Sequence, residues 1–328
     1  MRRRDFIRTL AGSAVAWPLT SAAQGPAIPV VGYLGSETPE RFGIRLSQFR
    51  QGLSETGFDE GRNVAIEYRW AEGRIDRLPE LAADLVRRQV NVIATPGSGT
   101  AALAAKAATT TIPIIFETGL DPVAVGIVRS LSRPEGNVTG ITSLNAVVTP
   151  KGPELLHEMV PNARSFAVLV NPANPVNTDS NMKSLEAPSR ALGLQLHVLN
   201  AASERDFDLA FAKIIELQVG GLIIPADTVF NSRAQQLAAL TLKHAVPAIH
   251  SVREFAASGG LMSYGGNIKE THRQAGIYTG RILKGEKPAD LPVQQVTKVE
   301  FVINFKTAKA LGLNVPNTLI GRADEVIE

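Results

Sequence analysis

Residues 97–100 combine residue types that can bind a carboxylate. The segment is Gly97-Ser98-Gly99-Thr100: its glycines permit close backbone approach, and its serine and threonine supply hydroxyl groups. An alanine-rich stretch that favours a helix follows directly, and the first amide groups of a helix are free to bind an anion. The segment therefore predicts a carboxylate site, although a helix cap without a ligand would use the same residues.

Other polar and aromatic residues follow apolar runs where a ligand could be held. Asp227 would suit a ligand ammonium, whereas Asn171 and Asn174 either hydrogen-bond a ligand or form an Asn-Pro turn. Phe230 and Tyr264 would stack on an apolar or aromatic part of a ligand, with packing beneath a helix as the alternative for Tyr264. The predicted ligand-binding residues are Ser36, Gly97, Ser98, Thr100, Glu117, Asp121, Asn171, Asn174, Asp227, Phe230 and Tyr264.

The residue types present offer little for catalysis. The chain has no cysteine, which excludes thiol catalysis and iron–sulfur clusters, and no pair of its histidines has the helical spacing of a metal site. Neither a G-x-S-x-G elbow nor a G-x-x-x-x-G-K-S/T loop occurs. We therefore predict a binding protein with no catalytic residue, no metal and no cofactor. An exported NAD-dependent oxidoreductase is the alternative, because Gly97, Gly99 and Glu117 imitate a dinucleotide fingerprint.

The first 24 residues predict a twin-arginine export signal. The segment Arg2–Arg8 has paired arginines, a spacer, two apolar residues and a basic residue, and a mild apolar run follows to Leu19. Ser21-Ala22-Ala23 is a small-residue cleavage site, so we expect cleavage near Ala23 and a periplasmic protein. A short helix or a membrane anchor is the alternative, but the apolar run is shorter than the roughly 20 residues that span a bilayer.

The net charge argues against a nucleic-acid partner. The chain has a formal net charge of +3, which the four arginines and one aspartate of the predicted signal account for entirely. The rest of the chain is formally neutral and has no run of lysine and arginine. Because no cysteine follows the signal, we also expect no lipid anchor and a protein that is not inserted in a membrane.

Short apolar runs alternate with amphipathic stretches, which predicts an α/β fold with parallel sheets. The predicted strands are Ile28–Leu34, Val64–Tyr68, Val90–Thr95, Ile112–Phe116, Val138–Thr142, Phe166–Val170, Leu194–Leu199, Gly221–Pro225, Ala248–His250 and Leu261–Tyr264. A non-strand stretch at 146–152 divides them into two series. We therefore predict lobe I at 25–145 plus 253–293 and lobe II at 146–252 plus 294–328, with one large doubly wound sheet as the alternative.

Seven segments spread over the chain are shared with one protein family. They are Gly61–Trp70, Ala104–Pro113, Gly136–Gly140, Gly259–Gly265, Gly280–Gly285, Phe305–Leu313 and Arg322–Glu328. These segments resemble those of ABC transporter substrate-binding proteins of the tryptophan/tyrosine-binding type. The resemblance implies a type I periplasmic binding protein fold: two doubly wound parallel-sheet lobes around a ligand cleft, with three hinge crossings.

The resemblance also implies partners and a function. It implies closure on a small ligand, and an ABC permease and ATPase as partners. We expect a monomer that binds an amino-acid-like or aromatic carboxylate ligand. The ligand-sensing component of a signalling system is a further alternative, because the same fold serves sensing.

Overall fold

The chain folds around two β-sheets, one of six and one of seven strands. The computed structural model describes residues 28–143 and 148–328. The predicted export signal at 1–24 lies outside the described residues. We call the elements on the six-stranded sheet lobe I and those on the seven-stranded sheet lobe II.

Lobe I is a parallel sheet with helices packed against it. Its strands are β1 (Val30–Gly35), β2 (Ala65–Trp70), β3 (Val92–Thr95), β4 (Ile114–Thr118), β5 (Val138–Thr142) and β11 (Gln294–Gln295), in the order β11-β5-β4-β3-β1-β2. Its helices are α1 (Gly43–Glu55), α2 (Leu78–Arg87), α3 (Gly99–Ala108) and α10 (Ile268–Leu283). Helices α1 and α10 approach so closely at Gly52 that a Cβ there would lie 1.8 Å from the carbonyl oxygen of Arg273. Glycine at this position therefore permits the contact.

Lobe II contains the remaining strands and helices of the described chain. Its strands are β6 (Ser165–Val170), β7 (Gln195–Asn200), β8 (Leu222–Ile224), β9 (Ala248–His250), β10 (Met262–Gly266), β12 (Val299–Asn304) and β13 (Glu325–Ile327), in the order β13-β12-β10-β9-β8-β6-β7. Its helices are α4 (Lys151–Met159), α5 (Pro175–Ala191), α6 (Asp206–Leu217), α7 (Thr228–Ser232), α8 (Ala234–Lys243), α9 (Arg253–Ala257), α11 (Phe305–Ala310) and α12 (Asn317–Ile320). Strands β10 and β12 pair antiparallel, and the other strand pairs are parallel.

The chain passes between the two sheets three times. It crosses after β5, again between β10 and α10, and a third time between β11 and β12. Two mainly parallel sheets joined in this way confirm the predicted fold class, and the single large sheet offered as the alternative is wrong.

The predicted limits of the two lobes need correction at two places. Residues 253–266 were assigned to lobe I, but β10 pairs with β9 and β12 in the second sheet. Residue 294 was taken as the return to lobe II, but Gln294–Gln295 pairs with β5 in the first sheet. The physical reason is apolar packing, since Met262 is fully buried in the lobe II core with Ile249 and Ile303.

Each sheet contains strands that other elements cover on both faces. The parallel direction of these strands positions the loops that form the site. Strands β3 and β8 are buried at every residue, as expected for parallel strands with helices on both sides. Because parallel strands end at the same edge of a sheet, the loops after β3 and β4 lie together in lobe I. The loops after β6 and β8 lie together in lobe II in the same way.

Candidate functional site

A cavity of about 50 Å³ lies where loops of the two lobes meet. Lobe I contributes residues 97–100 after β3 and residues 117–120 at the end of β4. Lobe II contributes Asn174 and Asn177 after β6, and residues 226–228 after β8. The cavity therefore sits at the carboxyl ends of strands from both sheets, where open α/β sheets bind their ligands.

The loop before α3 presents unused hydrogen-bond donors to the cavity. Ser98 caps the helix, and its Oγ accepts a 3.1 Å hydrogen bond from the amide of Ala101. The amide groups of Gly99 and Thr100 precede the first intrahelical hydrogen bond, so they have no partner within the helix. Two amides, the Ser98 hydroxyl and the positive end of the helix dipole form a suitable environment for a carboxylate.

Gly97 holds this loop in a conformation that side-chain-bearing residues rarely adopt. Its φ is +84°, and its amide donates both to the carbonyl oxygen of Glu117 at 3.1 Å and to Oε2 of the same residue at 2.8 Å. A Cβ at Gly97 would lie 3.1 Å from the Phe42 ring, and one at Gly99 would lie 2.7 Å from Leu120. Side chains of the protein itself fill the space beside both glycines, whereas a dinucleotide loop needs that space for pyrophosphate.

On the lobe II side, Asp227 is the centre of a buried hydrogen-bond network. Its Oδ1 accepts from Asn171 Nδ2 at 3.0 Å and from the amide of Val229 at 2.9 Å. Its Oδ2 accepts from Asn174 Nδ2 at 2.9 Å and from Asn177 Nδ2 at 3.1 Å. A carboxylate has about four acceptor sites, so these four donors occupy Asp227 fully.

Four polar contacts join the lobes around the cavity. Thr100 Oγ1 donates to Asn174 Oδ1 at 3.0 Å, and Thr228 Oγ1 donates to the carbonyl oxygen of Gly97 at 3.2 Å. Two ion pairs lie nearby, Arg233 with Glu37 at 3.2 Å and Arg41 with Glu204 at 2.8 Å. These contacts show that the lobes are in a closed arrangement.

Burial changes the titration of the ionisable groups on the lobe I wall. Desolvation raises the pKa of Glu117 to about 7, opposed by hydrogen bonds from Thr271 and the Gly97 amide and by the charge of Arg45. Desolvation lowers the pKa of His272 to about 3, and the nearby Arg45 charge acts in the same direction. It also lowers the pKa of Arg45, which stays a cation at neutral pH.

Six of the predicted ligand-binding residues line the cavity. They are Gly97, Ser98, Thr100, Glu117, Asn174 and Asp227. The helix start after Gly97 was correctly predicted, since Ser98 has cap geometry and α3 begins at Gly99.

The other five predicted residues lie away from the cavity. Phe230 is 1% exposed and packs in the lobe II core, and Tyr264 contacts Phe301 with ring centroids 5.9 Å apart. Asn171 is buried behind the Asp227 carboxylate. Asp121 is exposed and caps its own turn, and Ser36 is buried but does not line the cavity. Phe230 therefore has no ring face free for a ligand, whereas Tyr264 is partly exposed outside this cavity and its stacking role stays a prediction.

Sequence reasoning missed several polar residues of the cavity wall. They are Arg45, Asn231 and His272. One signal was present for the first of them, since Arg45 lies at helical spacing from Phe42 and Phe49 on the apolar face of α1. Asn231 and His272 lie on helices with no local pattern that marks a site.

The described residues offer neither a metal site nor a membrane-spanning helix. No group of three His, Asp or Glu side chains in the described part of the chain is arranged to hold a metal ion. Within residues 28–143 and 148–328, no helix has the length and apolar character needed to cross a membrane.

Comparison with known sequences identifies a family. The family profile described as "ABC transporter substrate binding protein" matches residues 41–327. A "Tyrosine-binding protein" of Clostridioides difficile is 26% identical over 268 residues, which cover 81% of this chain and 75% of that protein.

Solved structures show the same fold. A "conserved domain protein" from Vibrio cholerae is similar with a TM-score of 0.81 and 26% identity, covering 91% of this chain and 99% of that one. A domain from Streptococcus pneumonia in complex with L-Trp is similar with a TM-score of 0.80 and 23% identity, over the same shares of the two chains. Both likenesses extend across lobe I and lobe II.

Proposed function

Because this chain belongs to the ABC transporter substrate-binding protein family, we propose that it is the solute-binding component of an importer. In this proposal it binds an amino-acid-like or aromatic carboxylate ligand in the cavity between the lobes. The observation that carries the proposal is the set of free donors at the start of α3, which face a cavity closed by both lobes. The tyrosine-binding relative and the neighbour in complex with L-Trp support the same ligand class.

Lobe I would bind the ligand carboxylate. The Ser98 hydroxyl, the amides of Gly99 and Thr100, and the positive end of α3 would hold its oxygens. Thr100 has a second role, because its hydroxyl donates to Asn174 across the cleft. Binding at this point would thus favour closure.

Lobe II would bind the donor groups of the ligand. The Asn177 amide nitrogen already donates to the carbonyl oxygen of Ala226 and to Asp227, which leaves its carbonyl oxygen to face the cavity as an acceptor. Asn231 Oδ1 is buried without a partner in the described residues and belongs to the same wall. These two oxygens suit a ligand ammonium better than Asp227 does, because Asp227 has no free acceptor site.

The biological setting forms part of the proposal. The predicted signal at 1–24 would export the protein to the periplasm, where it would act as a monomer. Closure on the ligand would present a surface made by both lobes to an ABC permease with its ATPase, and the ion pairs Arg41–Glu204 and Arg233–Glu37, which join opposite lobes, would break on opening.

A ligand screen tests the proposal. We expect at least one member of a panel of L-amino acids and aromatic acids to raise the melting temperature of the purified protein, because a ligand that binds the native state stabilises it by mass action. A shift with NAD and none with the panel would contradict the proposal and support the oxidoreductase alternative. No shift with any compound would show that the ligand class is wrong.

A matched pair of variants tests the location of the site. Thr100→Val keeps the shape of the side chain and removes the hydroxyl that joins the lobes, so affinity should fall about 5- to 30-fold, equivalent to about 1–2 kcal/mol. Thr110→Val changes an exposed threonine of the same lobe and should leave affinity unchanged. Equal affinities for the two variants would place the ligand elsewhere.

A further inference from the structure

Arg45 and His272 line the cavity but have no role in the carboxylate site proposed above. Arg45 is half-buried on α1, its guanidinium carbon lies 5.1 Å from the centroid of the Phe42 ring, and it makes no hydrogen bond or ion pair with any described residue. His272 is 1% exposed on α10, and its Nε2 has no hydrogen-bond partner among the described residues. A cationic donor and a buried ring nitrogen are thus both unused.

The hydrogen bond at the other ring nitrogen fixes the tautomer of His272. Its Nδ1 lies 2.9 Å from the carbonyl oxygen of Ile268. A carbonyl oxygen can only accept, so the ring hydrogen is on Nδ1 and Nε2 presents a lone pair. Because burial lowers the pKa of His272 to about 3, the ring is neutral at neutral pH and Nε2 is an acceptor.

Arg45 and His272 both line the cavity and both lie against the Phe42 ring. The Phe42 ring contacts both: its centroid lies 6.3 Å from that of the His272 ring and 5.1 Å from the Arg45 guanidinium carbon. A Cβ at Gly97 would lie 3.1 Å from Phe42 and 3.4 Å from His272 Nε2. Gly97 therefore lies close to both Phe42 and His272 Nε2, with no side chain of its own between them.

We propose that Arg45 and His272 together recognise a hydroxyl group of the ligand. The hydroxyl oxygen accepts from the Arg45 guanidinium, and its hydrogen is donated to His272 Nε2. A carboxylate at this point would face the Nε2 lone pair, and an ammonium would face the Arg45 charge, so neither satisfies both groups. A hydroxyl is the smallest group that both accepts and donates. This inference rests on the proposed function, whose carboxylate site is formed by Ser98, Gly99 and Thr100.

Matched ligands that differ by one hydroxyl test this recognition. The pairs are L-tyrosine with L-phenylalanine and 4-hydroxybenzoate with benzoate, titrated calorimetrically against the full-length protein. In at least one pair the hydroxylated member should bind about 10-fold tighter or more, since hydrogen bonds to charged or buried groups contribute on the order of 1.5–3 kcal/mol. Equal affinities within both pairs would overturn the inference while leaving the proposed function intact.

Variants separate the hydroxyl site from other roles. Arg45→Gln and His272→Phe should each remove most of the preference for the hydroxylated ligand and change the affinity for its partner by less than about 3-fold. Arg50→Gln is the control, because Arg50 lies on the same helix and is paired with Glu60 at 2.6 Å. If Arg45→Gln weakens both members of a pair equally, Arg45 holds the carboxylate and the inference is wrong.

The protonation of His272 can be measured without a ligand and without a variant, so this test does not depend on either of them. The ¹⁵N signals of the imidazole in the full-length protein should show hydrogen on Nδ1 of His272 and none on Nε2. Hydrogen on Nε2 would remove the acceptor and overturn the inference even if amino acids bind. If no ligand of either pair binds although another member of the panel does, the hydroxyl site is overturned and the proposed function stands; if no member of the panel binds, the proposed function fails.

Discussion

Asn174 donates a 2.9 Å hydrogen bond to Asp227 Oδ2 and, through its own Oδ1, accepts a 3.0 Å hydrogen bond from Thr100 of the opposite lobe. Asp227 can only accept when ionised, so it fixes which end of the Asn174 amide faces the cleft. The Asp227 carboxylate therefore orients the Asn174 amide so that its oxygen can accept from Thr100 when the lobes close. Asp227 acts through the asparagines around it, as a positioning residue.

Asp227→Ala should lower stability and ligand affinity together. The substitution leaves the side-chain amides of Asn171 and Asn174 without their acceptor and removes one of the two acceptors of Asn177, and each buried unsatisfied group costs about 1–3 kcal/mol. We expect the free energy of unfolding to fall by about 2–4 kcal/mol. Affinity should fall equally for L-tyrosine and for its analogue without the amino group, measured by calorimetry below the melting temperature.

A matched aspartate and a different outcome distinguish this role from direct contact. Asp206 also accepts from backbone amides, those of Ala202 and Ser203 at 2.9 and 2.8 Å, but it does not line the cavity. Asp206→Ala should lower stability by about 1 kcal/mol without changing affinity. If Asp227→Ala weakens only the ligand that carries an amine and leaves stability unchanged, Asp227 contacts the ammonium directly.

The two ion pairs between the lobes should contribute unequally to closure. The Arg233 and Glu37 side chains are 12% and 2% exposed, whereas those of Arg41 and Glu204 are 35% and 45% exposed. Removing one partner of a buried pair costs about 3–5 kcal/mol, and an exposed pair contributes about 0.2–1 kcal/mol. Arg233→Gln should therefore weaken ligand affinity at least about 30-fold, and Arg41→Gln less than about 5-fold.

Salt concentration gives an independent check on the ion pairs. The contribution of Arg41 should disappear near 1 M salt, because mobile ions screen exposed charges, while that of Arg233 should persist. Titrations of both variants at low and high salt measure this difference. If Arg233→Gln and Arg41→Gln lose the same amount of ligand affinity, burial does not determine how much each ion pair contributes to closure.

The alternation of short apolar runs with amphipathic stretches was sufficient to predict most of the fold. Each of the ten predicted strands is present to within two residues at either end, because parallel strands buried on both faces form continuous apolar runs. Strand β12 was missed, and it is the strand that pairs antiparallel with β10 and keeps β10 in lobe II.

The site was less predictable than the fold because its key relationships are long-range. Ser98 and Thr100 could be recognised from a loop and the helix that follows it. That hydrogen-bond donors occupy every acceptor site of Asp227 could not be recognised in this way. Its donors Asn171, Asn174 and Asn177 lie 50 to 56 positions away in sequence. Phe230 was placed in the site for its aromatic ring, but the short helix α7 turns that ring into the core beside Phe207.

Phe230→Ala should lower stability and leave binding unchanged. Phe230 is 1% exposed and its ring centroid lies 6.3 Å from that of Phe207, so truncation creates a cavity in the core of lobe II. We expect the free energy of unfolding to fall by about 3–5 kcal/mol. Affinity at a temperature where the variant is folded should stay within about 2-fold of wild type; a large loss of affinity with little loss of stability would return Phe230 to the binding site.

Glu117 should make stability depend on pH in a direction opposite to that of most carboxylates. Its pKa is raised from 4.5 in the unfolded chain to about 7 in the fold, mainly by desolvation. The folded state therefore binds more protons than the unfolded state between these values, and stability falls as pH rises. The contribution of Glu117 is fully present below about pH 4.5 and is lost as pH rises through about 7.

Glu117→Gln isolates this effect. The glutamine carbonyl oxygen can still accept from the Gly97 amide, which Glu117 does at 2.8 Å, but it does not titrate. The variant should be close to wild type in stability at pH 4.5 and more stable at pH 8, by on the order of 3 kcal/mol. Urea unfolding at the two pH values measures the difference, with Glu135→Gln in an exposed loop as a control for the change in net charge. A variant that is less stable than wild type at pH 8 would mean that ionised Glu117 is stabilised in the fold, with Arg45 as the nearby cation that opposes its desolvation.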